Sequence, residues 1–587
     1  MHSFSFLIPR NPIKKFFSLL AKLPFSDRLL LHTIFALVVA SGLSVILSVN
    51  AYSTETVPVI GGTITEGIIG SPRLANPILA TTRADKDVSS LIYAGVMRYD
   101  DGGKLIPHLA EEVTLSEDRT TYTIKLRKDI RFHDGSQLTA EDVIFTYESI
   151  KKSETKSPLR GAWDTVNIEQ INTHALTIKL PEPYIPFIEN LTVGILPTHI
   201  WKSVPPQEMT YSVHNTEPIG AGPFMIDTIS RSNHGSVKSY KLVANPYYIK
   251  EPYLDKIELR FFATNENLQK ALENKEITST ADLSYQSLNQ YEKKGFTIHR
   301  APLPQVFAIF FNQNRSDVLR EKVVRQALNM SVDRNQIINE ALFGYAIPTT
   351  NTSPTNIKTL QAKSATSSNI ENARKLLRNN GWKRNDSGIW QLSTDDNTLT
   401  LSVTIQTIND PVLAEATEIV AKQWRELGAE VKVEQYEQSN LVNSIIRPRS
   451  FEAVMFGIEI GRQVDLYPFW HSSQQTDPGL NIAQYANLKV DERLEILRKE
   501  TDPDIRKEIR NEIYKTLEEE IPAVFLYTPT INYLTDNKLK IDNTNFPEGP
   551  HNRFSFIARW HTSTDKLWPI FHKNYAIREL TKNYNLE

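Results

Sequence analysis

An α/β protein of more than one domain, carried behind a single apolar helix, is the fold class that the sequence predicts. Three observations lead to it. The chain has 587 residues, enough for two to four domains of ordinary size. Its second half alternates segments of helical and of extended hydrophobic period. Leu29 to Val49 (LLLHTIFALVVASGLSVILSV) carries no charge that is fixed at neutral pH, and only His32 could titrate there.

At 1.5 Å per residue that run spans about 30 Å, the thickness of a bilayer core. Arg10, Lys14, Lys15, Lys22 and Arg28 precede it against one acid, Asp27, which places residues 1–28 in the cytoplasm as a basic segment. A cleaved signal peptide is the rival, with Val49-Asn50-Ala51 resembling a cleavage site. The run exceeds the usual ~7–15 residue signal core, so a retained anchor over 29–49 is expected, with a linker at 50–56. The overall charge of −2 leaves −6 beyond residue 50 and no basic tract, so nucleic acid is not an expected partner.

Charged residues make up 23% and hydrophobic ones 40%, as in globular proteins, so the bulk is expected to fold in water. The absence of cysteine excludes disulfides, thiol nucleophiles, Cys-ligated zinc, iron–sulfur clusters and lipid attachment at an N-terminal Cys.

Along the chain, GGTITEG starts a strand behind a Gly pair, and Asp87 to Val96 has helical spacing of Val88, Leu91, Ile92 and Val96. Thr121 to Leu126 and Leu176 to Leu180 alternate with period two and read as strands. Pro181 to Pro186, with three prolines, reads as a loop. Strands follow at Tyr240 to Val243 and Ile257 to Phe261, and a helix at Asn267 to Leu272. Helices are then expected over Arg320 to Met330, Arg334 to Phe343 and Asn369 to Asn379, beyond a Ser/Thr/Asn/Pro-rich loop at Thr349 to Ser368. Strand Leu399 to Thr407, helix Val412 to Leu427 closed by Gly428, and strand Glu430 to Tyr436 suggest a βαβ unit. Amphipathic helices at Asp491 to Lys499 and Ile505 to Glu519 lead to a strand at Val524 to Tyr533.

GxSxG, a phosphate loop ending in GK[ST], GxGxxG and HExxH are all absent. None of the thirteen histidines pairs with another at i+3 or i+4, so spacing supports no metal site. RFHDGSQLTAEDVIFTYESI (Arg131 to Ile150) draws the eye because His133 adjoins Asp134. Neighbours at a strand end point to opposite faces, which argues against an acid/base pair. A strand up to His133, a turn at Asp134-Gly135 and a helix capped by Thr139 with Glu141 and Asp142 account for every polar residue.

The same stretch, as LRKDIRFHDGSQLTAEDVIF, resembles the most recognisable block of the family 5 extracellular solute-binding proteins, the oligopeptide and dipeptide receptors of ABC importers. Other pieces occur in the family's order: LANPILA, DVSSLIYAGVMRYD, IPHLAEE, IGAGPF, NPYYIKEPYLDKIEL, FFNQNRSDVLREKVVRQALNMSVDRNQI, ENARKLLRNNGW and FWHSSQQTDPGLNIAQY, together covering Val57 to Thr535. The resemblance implies a bilobed periplasmic-binding-protein-like fold with two crossing hinge segments. Lobe I would take residues 57–300, with an inserted subdomain near 98–204. A hinge would occupy 301–308 and lobe II 309–520, and 521–587 would hold the second hinge, the return to lobe I and a C-terminal tail.

The resemblance further implies capture of a peptide, or of another small solute, for ABC permease subunits, by a monomer that needs no cofactor or metal and catalyses nothing. Relatives of this architecture also bind nickel complexes, sugars or opines, and a receptor or scaffold without transport is a further alternative. An extended peptide would add its backbone to exposed strands of both lobes.

Matching motifs nominate ligand-binding positions. Glu66 would offer a carboxylate from lobe I, its other reading being a turn acid, and Asn312 lies in the FFNQN block. MFGIEIGRQVDLYPFW resembles the ligand-lining loop, where a Gly-Trp pair and an amine-binding acid usually occur. Gly457 is kept, but Ile458 replaces the Trp and Gly461 stands where the acid would lie. Glu459 or Asp465 would substitute if the loop is shifted, although Asp465 reads equally as a cap. Asn481, Tyr485 and Tyr527 would supply donors or else pack in the core, and Trp470 is expected in the core.

Overall fold

The computed structural model describes residues 24–100, 102–351, 369–393, 397–460, 464–541 and 550–567. They form two compact units, 24–59 with 563–567, and the described part of 60–562. In the first unit the apolar run is one helix, Phe25–Ser53, with no buried residue. The stretch expected as a linker continues that helix and then forms a strand, Glu55–Pro58, paired antiparallel with Thr564–Leu567.

The second unit is built on a sheet shared by two lobes. From one edge the strands run Glu430–Tyr436, Ser402–Ile408, Ala453–Glu459, Gln305–Phe311, Ala523–Thr535, Ser279–Thr280, Thr63–Ile69, Lys256–Phe262, Val237–Ala244 and Phe224–Arg231. Ala523–Thr535 joins the halves. Ala523 to Tyr527 pair with Gln305–Phe311, and Thr530 to Thr535 pair with Thr297–Pro302. The chain therefore crosses twice, through Thr297–Pro302 into Gln305–Phe311 and back through Ala523–Thr535, as the resemblance implied.

One hydrophobic cluster fills the first lobe, from Ile64 and Ile68 through Tyr122, Phe132 and Tyr147 to Leu259, Tyr533 and Trp560. It includes the inner face of a separate antiparallel sheet, Ala110–Leu115, Thr121–Leu126, Ala175–Lys179 and Asn167–Asn172, which lies within the expected insertion. Two further clusters, one around Trp424 and one around Trp470, hold the second lobe. Trp470 is fully buried among Phe310, Phe525 and Tyr485.

The βαβ unit is present: Ser402–Ile408 and Glu430–Tyr436 are parallel neighbours joined by the helix Pro411–Leu427. Several boundaries differ from the periodicity: the strand expected over Leu399 to Thr407 is two, Thr398–Thr400 and Ser402–Ile408, in separate sheets. The helix expected from Asp87 spans Arg83–Ile92, because Thr82 caps it by accepting from the Asp85 N–H, and Tyr93 turns extended. The helix expected over Arg320 to Met330 is broken at Glu321 into Asp317–Arg320 and Lys322–Met330. The Arg325 guanidinium donates to the Leu319 and Arg320 carbonyls at 2.8 and 2.9 Å, which satisfies the groups that the break exposes. Residues 352–368 of the Ser/Thr/Asn/Pro-rich loop lie outside the described residues.

The HDG block is a structural joint. Phe132 is fully buried, and the His133 N–H donates to Gly220 O at 2.9 Å, so the IGAGPF segment is fastened to the turn. Asp134 accepts from the Ser136 N–H at 3.0 Å, and Gly135 has φ of 84°. At the helix start the Asp142 carboxylate accepts from the Thr139 N–H (2.8 Å), the Thr139 hydroxyl (3.1 Å) and the Thr198 N–H (2.8 Å). The hydroxyl donates to the acid, and the capping box that the motif suggested is present, with the Thr139 side chain facing the Asp142 N–H. Gly135→Val forces a β-branched residue to a positive φ and is expected to cost at least about 1–2 kcal/mol, whereas Gly135→Asn is tolerated. Thermal melting of the two variants checks this, and equal melting would refute it.

Candidate functional site

Within the second unit a cavity of about 450 Å³ lies between the lobes. One wall comes from the helix Arg83–Ile92, through Lys86, Ser89 and Ser90, and from the segment after it, through Arg98, Tyr99 and His108. Glu189 lines it from the inserted segment, Asn552 and Phe554 from the C-terminal return, and Glu459 from the end of Ala453–Glu459 in the second lobe.

Some of the polar groups are already engaged. The Tyr99 hydroxyl donates to Glu189 at 2.5 Å, and His108 Nε2 shares a hydrogen bond of 3.0 Å with the Tyr248 hydroxyl. Burial, reinforced by the positive charges of Arg98 and Arg127, pushes the His108 imidazole down to about 3, so it is neutral at neutral pH. In contrast, Lys86, Arg98 and Glu459 make no side-chain hydrogen bond or ion pair with any described residue. Among the described residues, the cavity thus presents two cations without a side-chain partner on the first lobe and one such carboxylate on the second.

Of the described positions nominated by motif, only Glu459 lines this cavity. Glu66 offers nothing to a solute. It is fully buried and accepts from Arg553 at 2.8 and 3.1 Å, from the Tyr533 hydroxyl at 2.9 Å and from Ser279. Arg553 also pairs with Asp87 through two hydrogen bonds of 2.8 Å. Burial works against the Arg553 charge, but the two carboxylates outweigh it and hold its pKa above the ordinary value. Neither reading of Glu66, free carboxylate or exposed turn acid, foresaw this, because its partner lies 487 residues away.

The other nominated residues build the walls. Asn312 is fully buried, donating to Arg449 O and accepting from the Asn314 N–H. Gly457 sits opposite Phe307, where an added Cβ would come within 2.7 Å of the ring; Phe307 in turn stacks on Tyr527 with centroids 5.0 Å apart. Ile458 packs in the second-lobe core, and Tyr527 is buried there. Asn481 is fully buried and ties its own loop, donating to His471 O and Tyr485 O and accepting from the Tyr485 N–H. Tyr485 donates to Glu520 at 2.6 Å. Gly461 lies outside the described residues.

Asp465 takes the cap reading and adds to it. One oxygen accepts from the Tyr467 N–H at 3.2 Å, and the other pairs with Arg498 at 2.8 Å. It also accepts from the Tyr184 hydroxyl at 2.9 Å, and Arg498 lies over the rings of Tyr184 and Tyr467. Arg119 donates at 2.6 Å to the carbonyl of Lys499, the residue after Arg498. Tyr184 and Arg119 belong to the first lobe, so Asp465 and Arg498 clasp the lobes together instead of facing the cavity.

Lys86, Arg98 and Glu189 were not singled out by motif. Arg98 is the one cation within AGVMRYD, but nothing local told which way it faced. The cluster around Glu66 gives a direct expectation. Arg553→Met leaves two buried carboxylates unpaired and is expected to lower stability by about 3–5 kcal/mol. Adding Glu66→Gln and Asp87→Asn to Arg553→Met restores most of that. Urea unfolding of the three proteins reads it out, and a single variant as stable as the parent would refute the pairing.

The comparisons with known proteins agree with this architecture. Residues 104–478 match the family described as bacterial extracellular solute-binding proteins, family 5 middle. The oligopeptide-binding protein AppA of Bacillus subtilis is 27% identical over 486 residues, covering 80% of this chain and 87% of its own. Its structure in complex with a nonapeptide superposes with a TM-score of 0.64 at 25% identity, covering 86% of this chain and 100% of the other. The nickel-binding protein NikA of Staphylococcus aureus is 23% identical over 436 residues, covering 73% and 82%. The family match spans more than half of the sequence, in the order of its motifs and on the bilobed fold. This chain belongs to the family 5 bacterial extracellular solute-binding proteins, receptors of ABC importers and not enzymes.

Proposed function

We propose that the chain is a membrane-anchored extracytoplasmic receptor that captures a short peptide and hands it, as a monomer, to ABC permease subunits. The observation that carries this is the charge pattern of the cavity, Lys86 and Arg98 on one wall and Glu459 on the other, none with a side-chain partner among the described residues. A zwitterion satisfies both signs, its carboxylate at the cations and its amine at Glu459. A charge enclosed in a closing cleft is costly without such a partner. The oligopeptide-binding relative supports the same solute class.

In this reading residues 57–300 with the insertion at 98–204 make the first lobe, 309–520 the second, and 301–308 with the start of 521–587 the hinge. The helix Phe25–Ser53 is long and apolar enough to cross a bilayer and serves as the tether. Tethering raises the receptor's effective concentration at its permease. A second reading has one specific support: the nickel-binding relative. There the two cations would hold the carboxylates of a chelate, and the neutral His108 would stand nearby.

Native mass spectrometry of the full chain from detergent separates the two. A distribution of peptide masses is expected, and a single chelate mass would replace the first reading by the second. Glu459→Gln is then expected to weaken binding of a free-amine peptide by about 1.5–3 kcal/mol and to leave its N-acetylated form unaffected. Equal losses for both forms in calorimetry would remove Glu459 from amine recognition.

A further inference from the structure

Away from the cleft, the second lobe carries a pocket of about 480 Å³ lined by Glu371, Arg374, Arg378, Lys383, Arg384 and the two tryptophans Trp382 and Trp390. Four cations face it against one carboxylate. Arg374 and Arg378 stand at i and i+4 on the helix Ile370–Asn379, a like-charge pair that helix formation alone disfavours. Lys383–Arg384 forms a short strand beside Trp390–Ser393.

Part of this arrangement serves the fold. Arg374 donates to Glu426 O at 2.6 Å, and Arg384 and the Trp390 indole both donate to Leu427 O at 2.8 Å, so all three finish the carbonyl end of Pro411–Leu427. Arg378, in the last turn of its own helix, suits that helix dipole. These roles do not exhaust the donors. Glu371 engages only one amino group of Arg374, whose Nε, like the indole N–H of the buried Trp382, is buried without an acceptor among the described residues. Arg378 and Lys383 make no side-chain hydrogen bond or ion pair with any described residue. Arg384 lies 5.0 Å from the centroid of the Trp390 ring, which fixes its plane. Burial, and then the charge of Arg374, hold the Arg384 pKa below its ordinary value, against the Glu371 carboxylate, which raises it.

We propose that this pocket is an anion site for a phosphate-bearing ligand, with Arg378, Lys383 and Arg384 as the donors. Planar guanidiniums anchored by backbone carbonyls are preorganised for the tetrahedral oxygens of a phosphate, and a multiply charged group offsets the mutual repulsion of the cations. Phospholipid headgroups and free phosphate esters share this chemistry. The site is independent of the cleft and of the solute bound there.

The test titrates inorganic pyrophosphate into the full chain in a non-ionic detergent, by calorimetry and tryptophan fluorescence at constant ionic strength. Saturable binding is expected, weakened at least tenfold in Arg378→Gln/Arg384→Gln with unchanged melting and unchanged cleft binding. Should the double variant melt early, the exposed Lys383→Gln decides, with a severalfold loss expected. Displacement of pyrophosphate by phosphatidylglycerol and not by phosphatidylcholine in mixed micelles identifies a headgroup ligand; no displacement identifies a free phosphate ester. Absence of saturable binding, or equal affinity in parent and variants, overturns the proposal.

Discussion

Thirteen consecutive buried residues, Ala523 to Thr535, have to find partners for their backbone groups, and the rest of the fold is arranged around that need. A buried strand cannot stand alone between two lobes. Its first half completes the sheet of the second lobe and its second half that of the first, while Thr297–Pro302 and Gln305–Phe311 run back along it. The change of partner falls around Pro529, which has no N–H to donate and whose carbonyl accepts from the Leu303 N–H at 2.9 Å. The two crossings are therefore hydrogen-bonded to each other as well as to their sheets. Such a ribbon can flex between lobes without exposing unpaired backbone.

The charges of the second unit divide by the same logic of burial. Where the C-terminal return meets the first lobe, Arg553 is enclosed between Glu66 and Asp87, and each oxygen and guanidinium edge has a partner. Asp465 and Arg498 do a similar service between the lobes with Tyr184, in a less buried setting. Charges so engaged hold structure and have little left to recognise a solute. Lys86, Arg98 and Glu459 differ in having a cavity in front of them and no side-chain hydrogen bond or ion pair among the described residues.

The family and the fold class were legible because they depend on local pattern. Alternation in TYTIKL, the turn in HDG and the βαβ rhythm over 402–436 are properties of short windows, and the structure keeps them. Element ends were less legible, since the Arg83–Ile92 helix is set by its Thr82 cap and the break at Glu321 by an arginine reaching from the next turn. Of the described residues that line the cavity, the motifs had nominated one, Glu459. Asn312, Asn481 and Tyr485 carry the polar groups that binding would use, and only their neighbours reveal that these are already bonded within the fold.

By itself, the sequence determined the apolar helix, the periods of the strands and helices, the ordered motifs and, by lacking cysteine, the chemistries that are unavailable. Those follow from side-chain type and spacing within one or two turns of chain. Tertiary structure alone decided which charges are engaged and which are free. Glu66 and Glu459 are the same residue type at strand positions, yet one meets an arginine 487 residues away and the other faces a cavity. Desolvation and pairing act through space, and no local pattern encodes which distant group will arrive.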